Sequence, residues 1–167
     1  MTDLTIIEIS KEYLHFAAAH FTVFSATERE DLHGHNFHVQ AHAHTRIKAD
    51  GLAFDYNLMK TRLKALCDQL DEKTLLPEQS PYLKIQTENE YTVALFANER
   101  IPFLPRDVLT LPVRNITVEE LARWLLKELM ADQTLNALDI SQVDLRVSSG
   151  AGQWACSTWR EGKQLTG

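Results

Sequence analysis

Histidine is the residue type whose placement in this chain first suggests chemistry. Seven histidines lie in the first 44 of the 167 residues, and none follows them. Imidazole is the commonest metal ligand among side chains and exchanges protons near neutral pH. Metal or proton-transfer chemistry is therefore expected in this segment. The seven residues are His15, His20, His33, His35, His38, His42 and His44.

The tripeptide His33-Gly34-His35 has the spacing of a metal site. At the start of a strand, residues two apart project to the same face with Cα atoms about 6–7 Å apart, within reach of one ion. Gly34 allows a close backbone approach. His20, which follows the small residues Ala17–Ala19, supplies a third ligand if its strand pairs with the first. Three histidines leave one tetrahedral position open, as in catalytic zinc sites, but the spacing alone fits a turn with two solvated histidines equally well.

The other chemically interesting side chains have structural interpretations. His38, His42 and His44 are expected to line a strand face rather than to bind metal, because His33 and His35 already occupy its start. Cys67 and Cys156 form no CxxC pair and are expected to be buried thiols of a reducing cytoplasm. A replacement nucleophile at Cys156 is an open alternative.

Strict alternation predicts the strand that carries these histidines. Between residues 35 and 48 the apolar positions Phe37, Val39, Ala41 and Ala43 fall on one face, which is typical of a half-buried antiparallel strand. Residues 4–20 are rich in β-branched and aromatic side chains. They predict one opening strand, bent near Lys11.

Two helices are predicted from three- and four-residue apolar spacing. The first runs from Asp55 to Leu70 and ends with Leu75-Leu76-Pro77. The second starts at a capping box, in which Thr117 and Glu120 would satisfy free amides, and continues to about Asp132. The residues expected to be buried are Leu58, Met59, Leu63, Leu66, Cys67 and Leu70 in the first helix, and Leu121, Leu125 and Leu129 in the second.

The remaining segments complete an α+β domain. Residues 82–97 predict two strands joined at 88–90, and the three prolines of 98–114 predict extended or looped chain. Residues 143–147 and 154–159 predict two closing strands around a turn. This order indicates an antiparallel sheet with helices on one face.

Composition limits the function classes. The chain is 44% apolar and 24% charged with a net charge of −6, which predicts one soluble globular domain spanning 1–167. Scattered Lys and Arg argue against nucleic acid and anionic membranes as partners. Because the first residues lack a basic region and a long apolar run, a cytoplasmic location is expected.

Five segments resemble those of the 6-pyruvoyltetrahydropterin synthase and 6-carboxytetrahydropterin synthase family. They are FAAAH, LHGHNFHV, AFDYNLMKTRL, LDEKTLL and ITVEELARWL, in this order. The resemblance implies the tunnelling fold, or T-fold, with the order ββααββ plus, here, an inserted hairpin. It also implies subunits that form barrels and stack as homohexamers. His20, His33 and His35 match the three histidines that hold zinc in this family.

The resemblance also implies candidate catalytic acids. Family synthases place a cysteine shortly before HGH, whereas this chain has Glu30 in an ExxHGH pattern. That pattern is similar to a branch that carries glutamate instead and cleaves dihydroneopterin triphosphate to 6-hydroxymethyldihydropterin. A carboxylate beside zinc can move protons as a thiolate can. The family's Asp-His relay matches Asp71-Glu72, so the aspartate is kept and the histidine is not.

Substrate recognition departs from the family. The glutamate that anchors the pterin ring is replaced by serine at Ser149, whose hydroxyl cannot form the same bidentate pair. Thr117 and Glu119 match family residues near the pterin pocket, although helix capping explains them equally well. The expected function is a zinc-dependent lyase acting on dihydroneopterin triphosphate or a related pterin. The alternatives are an enzyme for a different heterocycle or polyol, and a non-catalytic binding protein.

Overall fold

The computed structural model describes residues 4–162, so the ends of the predicted domain, 1–3 and 163–167, lie outside the described residues. The regular elements are β1 (Leu4–Ile9), β2 (His15–His20), β3 (His33–Arg46), α1 (Tyr56–Leu70), β4 (Lys73–Pro77), β5 (Leu83–Glu88), β6 (Tyr91–Phe96), β7 (Glu99–Phe103), a 3-10 turn (Pro105–Asp107), β8 (Val108–Leu111), α2 (Val118–Met130), α3 (Gln133–Asn136), β9 (Ile140–Ser148) and β10 (Ala155–Arg160).

The long strand β3 is the centre of a seven-stranded sheet, in which six strands have the order β10-β9-β3-β2-β4-β8 and the seventh, β1, also pairs with β3. β9 pairs with one side of β3, while β1 and β2 share the other side. The predicted opening strand is therefore two strands. They are separated by a turn in which Leu14 N donates to Lys11 O at 3.0 Å.

The alternation predicted for β3 is confirmed. Phe37, Val39, Ala41 and Ala43 are each at most 1% exposed and face the helices. The residues between them point to the face that the helices leave uncovered, which we call the helix-free face. Because the pleat has a period of two, the side of the sheet on which each β3 residue lies follows from its position.

The predicted helix end at Leu70 is confirmed, but the interpretation of Leu75-Leu76-Pro77 as its terminating segment was wrong. The helix ends at Leu70, and Lys73–Pro77 is strand β4, parallel to both β2 and β8. Leu75 and Leu76 are fully buried in the sheet. A short apolar run looks the same at a helix end as in an inner strand, and the partner strands are distant in sequence. These two parallel pairings make the sheet mixed, within the α+β T-fold class that was predicted.

The two longer helices pack on one face of this sheet, as expected. Met59 and Leu63 of α1 and the Leu121, Leu125 and Leu129 stripe of α2 are completely buried. Leu58 is 37% exposed, so its predicted burial was wrong.

The capping box is half formed. Thr117 Oγ1 accepts from Glu120 N at 3.3 Å, but the Glu120 carboxylate accepts from Arg114 N at 2.9 Å rather than reaching back to the cap.

The inserted segment forms a separate three-stranded sheet, β5-β6-β7, which we call the small sheet. The predicted 88–90 turn is confirmed, with Asn89 at φ 52°. The proline-containing segment holds β7 and β8 in addition to looped chain; Pro102 is tolerated because β7 is an edge strand. The small sheet packs on the main sheet through a second apolar cluster that includes Phe21, Leu76 and Phe96. No helix among residues 4–162 is long and apolar enough to cross a membrane.

Candidate metal centre

Strand pairing brings three of the predicted site residues together. His20 is directly opposite His33 in the antiparallel pair of β2 and β3, and His35 lies two residues further along β3. One ring nitrogen of each histidine lies within 4.8 Å of the others. The cluster lies at the end of the helix-facing side of the sheet, with Phe37 next to it; the Phe37 ring centre is 5.6 Å from the ring centres of both His20 and His35.

Backbone carbonyls fix the tautomers of two of these rings. His20 Nδ1 donates to the Ile116 carbonyl at 2.9 Å, and His33 Nδ1 donates to the Asp31 carbonyl at 2.7 Å. A ring that donates from Nδ1 in its neutral form carries a lone pair on Nε2. Both Nε2 atoms are therefore available as ligands, and carbonyls of this kind are typical outer partners of metal-binding histidines.

The nitrogen atoms fit a cation. His20 Nε2 is buried and has no hydrogen-bond partner among the described residues. His33 Nε2 and His35 Nε2 are 3.0 Å apart, close to the spacing of about 3.3 Å expected for two ligands of a tetrahedral zinc ion. Burial and the neighbouring His33 and His35 lower the pKa of His20 despite the opposing Ile116 hydrogen bond. Histidine must be neutral to bind metal, so the cluster could hold an ion.

The expected role of Gly34 is not required by the geometry. A Cβ atom at this position would lie 3.5 Å from the Ala18 carbonyl oxygen, which is an ordinary contact. The sheet pairing, rather than the glycine, brings the two strands together.

Glu30 is the carboxylate beside the cluster. Its Oε2 lies 4.0 Å from His33 Nε2 and accepts from Thr22 N at 2.9 Å. Burial raises the Glu30 pKa, but the Thr22 hydrogen bond and the nearby His33 and His20 outweigh this effect and lower it below its ordinary value. Glu30 is thus a fixed carboxylate, as acid-base chemistry at this position would require.

Sequence reasoning missed two supports of the site. Asn115 pins the loop before Glu30, because its side chain accepts from Val23 N at 3.1 Å and donates to Val23 O at 2.7 Å. The next residue, Ile116, provides the carbonyl for His20. These contacts join residues more than 90 positions apart, so no local pattern could have indicated them.

Asp71 and Glu72 are attached to β2 through Ala17. Asp71 Oδ1 accepts from Ala17 N at 2.7 Å, and Glu72 N donates to Ala17 O at 2.7 Å. Glu72 has φ 56° and an exposed side chain. It lines an open cavity of about 420 Å³ that also reaches His35 and Asn36. The two acids are therefore adjacent in sequence, but the Asp71 carboxylate is hydrogen-bonded to β2 whereas the Glu72 side chain is exposed.

The predicted substrate-binding residues lie at two chain turns. Thr117 caps α2 immediately after Ile116, and Glu119 is exposed in the first helical turn. Ser149 follows β9, where its hydroxyl accepts from Gln153 Nε2 at 3.3 Å. No hydrogen bond of residues 4–162 joins Ser149 to the three histidines.

The cysteines differ from each other. Cys67 is buried as predicted, and burial raises the pKa of its thiol to about 12, which makes it a poor nucleophile. Cys156 is exposed, so its predicted burial was wrong; it alternates outward on β10. Partial burial and Asp144 raise its pKa as well, and this does not favour a replacement nucleophile.

Comparisons with known proteins agree on one family. The family model described as 6-pyruvoyl tetrahydropterin synthase matches residues 8–157. A protein of Methanocaldococcus jannaschii named "Putative 6-carboxy-5,6,7,8-tetrahydropterin synthase" is 27% identical over 146 residues, covering 86% of this chain and 88% of its own.

Solved structures show the same likeness. The 6-pyruvoyltetrahydropterin synthase of Plasmodium vivax is 27% identical with a TM-score of 0.89, covering 95% of this chain and 99% of its own. A variant of the Plasmodium vivax synthase, described as a catalytic residue mutant, replaces a glutamate by alanine; it is 26% identical with the same TM-score and coverage.

Proposed function

The chain belongs to the 6-pyruvoyl tetrahydropterin synthase family, and on this premise we propose that it is a zinc-dependent lyase acting on dihydroneopterin triphosphate or a related pterin. One observation carries the proposal. Three histidine nitrogens converge within 4.8 Å of one another, and the Glu30 carboxylate lies 4.0 Å from one of them. This arrangement combines a metal site that has an open position with an adjacent proton carrier.

His20, His33 and His35 would hold the zinc ion, supported by the buried, unpartnered Nε2 of His20 in the described chain. Bound zinc supplies a Lewis acid that polarises a carbonyl or hydroxyl oxygen of the substrate side chain. The Ile116 and Asp31 carbonyls keep two of the rings in the ligand tautomer.

Glu30 would act as the main proton carrier. Its lowered pKa keeps it as a carboxylate near neutral pH, the form that removes a proton from the substrate side chain and returns it later. The catalytic glutamate named in the Plasmodium vivax variant supports a glutamate in this role. Asp71 would be a second proton carrier, with Glu72 its neighbour at the cavity.

Ring recognition differs from the family pattern in this proposal. Thr117 and Ser149 would contact the substrate, but a serine hydroxyl cannot match the bidentate grip of a carboxylate on the pterin ring. We therefore expect the Ser149→Glu variant to bind neopterin more tightly than the wild type, as measured by calorimetry. Unchanged binding would show that the pterin ring does not reach position 149.

We further propose that the chain works as a homo-oligomer, with a hexamer expected from its family. β8 and β10 are the end strands of the main sheet, and open strand edges need cover. Sedimentation at micromolar concentration should give one species well above the subunit mass of 19.1 kDa. A single species of subunit mass would contradict the assembly.

The direct test is product analysis. Zinc-loaded protein is incubated with dihydroneopterin triphosphate, and the pterins formed are separated by chromatography and identified by mass spectrometry. The proposal expects 6-hydroxymethyldihydropterin, whereas a 6-pyruvoyl or 6-carboxy product would identify another activity of the same family. The His35→Ala variant is the control and should form no product.

A second candidate follows from Ser149 and from the missing cysteine before HGH. The chain would then keep the metal and the fold but act on a different substrate or only bind a ligand. No conversion of any neopterin derivative, together with no pterin binding by Ser149→Glu, would favour this candidate over the lyase.

A further inference from the structure

Arg29 connects Glu30, the acid beside the candidate metal site, to the small sheet. Its Nη1 donates to the Glu30 carbonyl oxygen at 2.7 Å. Its Nε donates to Glu99 Oε2 at 2.7 Å, and Nη2 lies 2.6 Å from the same oxygen. Glu99 is the first residue of β7. One guanidinium therefore holds both the candidate acid's backbone and a strand some 70 residues away.

The Arg29 side chain is fixed by packing as well as by charge. Its guanidinium carbon lies 5.0 Å from the ring centre of Phe21 and 6.0 Å from that of Phe96. Only 17% of the side chain is exposed, against 51% for Glu99. A planar guanidinium that stacks on aromatic rings donates in fixed directions. The direction toward the Glu30 carbonyl is thus set by Phe21 together with Phe96 and Glu99 of the small sheet.

Further contacts hold Glu30 within its own loop. Its amide donates to Thr22 O at 2.9 Å, its carboxylate accepts from Thr22 N at 2.9 Å, and Val23 and Arg29 form an isolated bridge. The loop is also held from outside, because Asn115 binds Val23 and because Val23 packs with Phe96 of the small sheet. The hydrogen bond from Arg29 adds the polar contact that links the Glu30 backbone itself to the small sheet.

We propose that Arg29 is a positioning residue, which, through Glu99, uses the small sheet to set the place of the Glu30 carboxylate relative to His33. The inference rests on the proposed catalytic role of Glu30. It gives the small sheet a part in the reaction although none of its residues needs to touch substrate. A shift of about 1 Å in a reacting group can lower the rate by up to about 10²-fold.

A test independent of substrate and metal uses the Thr22 amide. Its N–H donates to Glu30 Oε2, so its NMR chemical shift reports where the carboxylate lies. In perdeuterated, ¹⁵N-labelled full-length protein, Glu30→Gln defines the shift that follows from loss of the carboxylate. We expect Arg29→Met to move the Thr22 resonance toward that value. We expect Arg29→Lys, which keeps the charge but not the fork, to restore it in part.

The partner and the control come from the same sheet. Glu99→Gln removes the ion pair and should move the Thr22 resonance in the same direction as Arg29→Met, by less. Arg100→Gln breaks the exposed pair between Arg100 and Glu88, which does not touch the loop. It should leave the Thr22 resonance in place. Turnover by Arg29→Met should show kcat lowered by about 10-fold to 10²-fold with KM within about threefold.

The outcomes separate this inference from the proposed function. A folded Arg29→Met protein with an unmoved Thr22 resonance overturns the inference, and so does an equal displacement in Arg100→Gln. If the wild type converts no pterin but the resonance moves as expected, the proposed function fails while the positional link stands.

Discussion

Strand β3 carries two groups of histidines on its opposite faces. His33 and His35 face the helices, where they meet His20, and their free nitrogens converge. His38, His42 and His44 point to the helix-free face, and His44 Nε2 lies 2.7 Å from Asp144 Oδ2. One group presents ring nitrogens to a shared point, whereas a member of the other is hydrogen-bonded to a carboxylate.

The comparison shows that clustering in sequence does not define a site. What distinguishes the two groups is the hydrogen-bond partner of the rings. Carbonyl oxygens hold Nδ1 of His20 and His33 and leave Nε2 free, the arrangement of a metal ligand. On the helix-free face, Asp144 accepts from His44, Gln142 and Thr158 and ties strands β3, β9 and β10 together.

The largest expected effect is on metal binding. His33→Ala removes one of the three proposed ligands, so we expect zinc content to fall from about one ion per chain to near zero. His42→Ala, on the helix-free face of the same strand, should keep full zinc content. Elemental analysis after gel filtration measures both. Full occupancy in His33→Ala would remove the distinction between the two groups.

The next largest effect is expected at Glu30 and distinguishes it from Glu28, another acid of the same loop. Glu30→Gln should keep zinc and assembly but lower turnover of dihydroneopterin triphosphate by about 10²–10⁴-fold, the usual contribution of a positioned proton carrier. Glu28→Gln, an exposed acid in the same loop, is the matched control and should retain activity. Equal rates for Glu30→Gln and wild type would exclude Glu30 as the proton carrier.

Asp144→Asn should affect stability rather than turnover. It weakens hydrogen bonds to a charged acceptor, and we expect the free energy of unfolding at pH 7 to fall by about 1–2 kcal/mol. Denaturant titration followed by circular dichroism measures this change. The comparison would break if Asp144→Asn left stability unchanged but abolished activity.

The pH dependence of this effect has a defined sign. Burial raises the Asp144 pKa, but hydrogen bonds from Thr158, Gln142 and His44 outweigh this effect and lower the pKa below its ordinary value. The stabilisation is thus fully present above the unfolded pKa of about 3.9 and is lost as the pH falls through the folded pKa. The difference between wild type and Asp144→Asn should shrink as the pH falls below about 4.

The smallest effect is expected at His38. Its exposed ring lies 6.1 Å from that of His15, centre to centre, on the helix-free face. His38→Gln should change the free energy of unfolding by no more than about 0.5 kcal/mol and leave zinc content unchanged. Loss of zinc in this variant would show that the metal site extends across the sheet.

Part of the fold and of the candidate site could be predicted from short-range patterns. The alternation of β3 and the helix that begins after Asp55 were correct, because a period of two or 3.6 is set by neighbouring residues. The interpretation of Leu75 and Leu76 as the end of a helix was wrong, because an apolar run does not indicate whether its hydrogen bonds lie within a helix or between strands. The predicted burial of Leu58 and Cys156 was wrong, because the exposure of a side chain depends on what packs against it.

By itself, the sequence determined that His33 and His35 share a face and that Glu30 precedes them closely. Only the tertiary structure decided that His20 faces His33, that the Ile116 carbonyl orients His20, and that Arg29 reaches Glu99. The physical reason is range. Backbone geometry fixes the direction of a side chain from its immediate neighbours, whereas the partners of its polar atoms depend on the register and packing of segments far away in the chain.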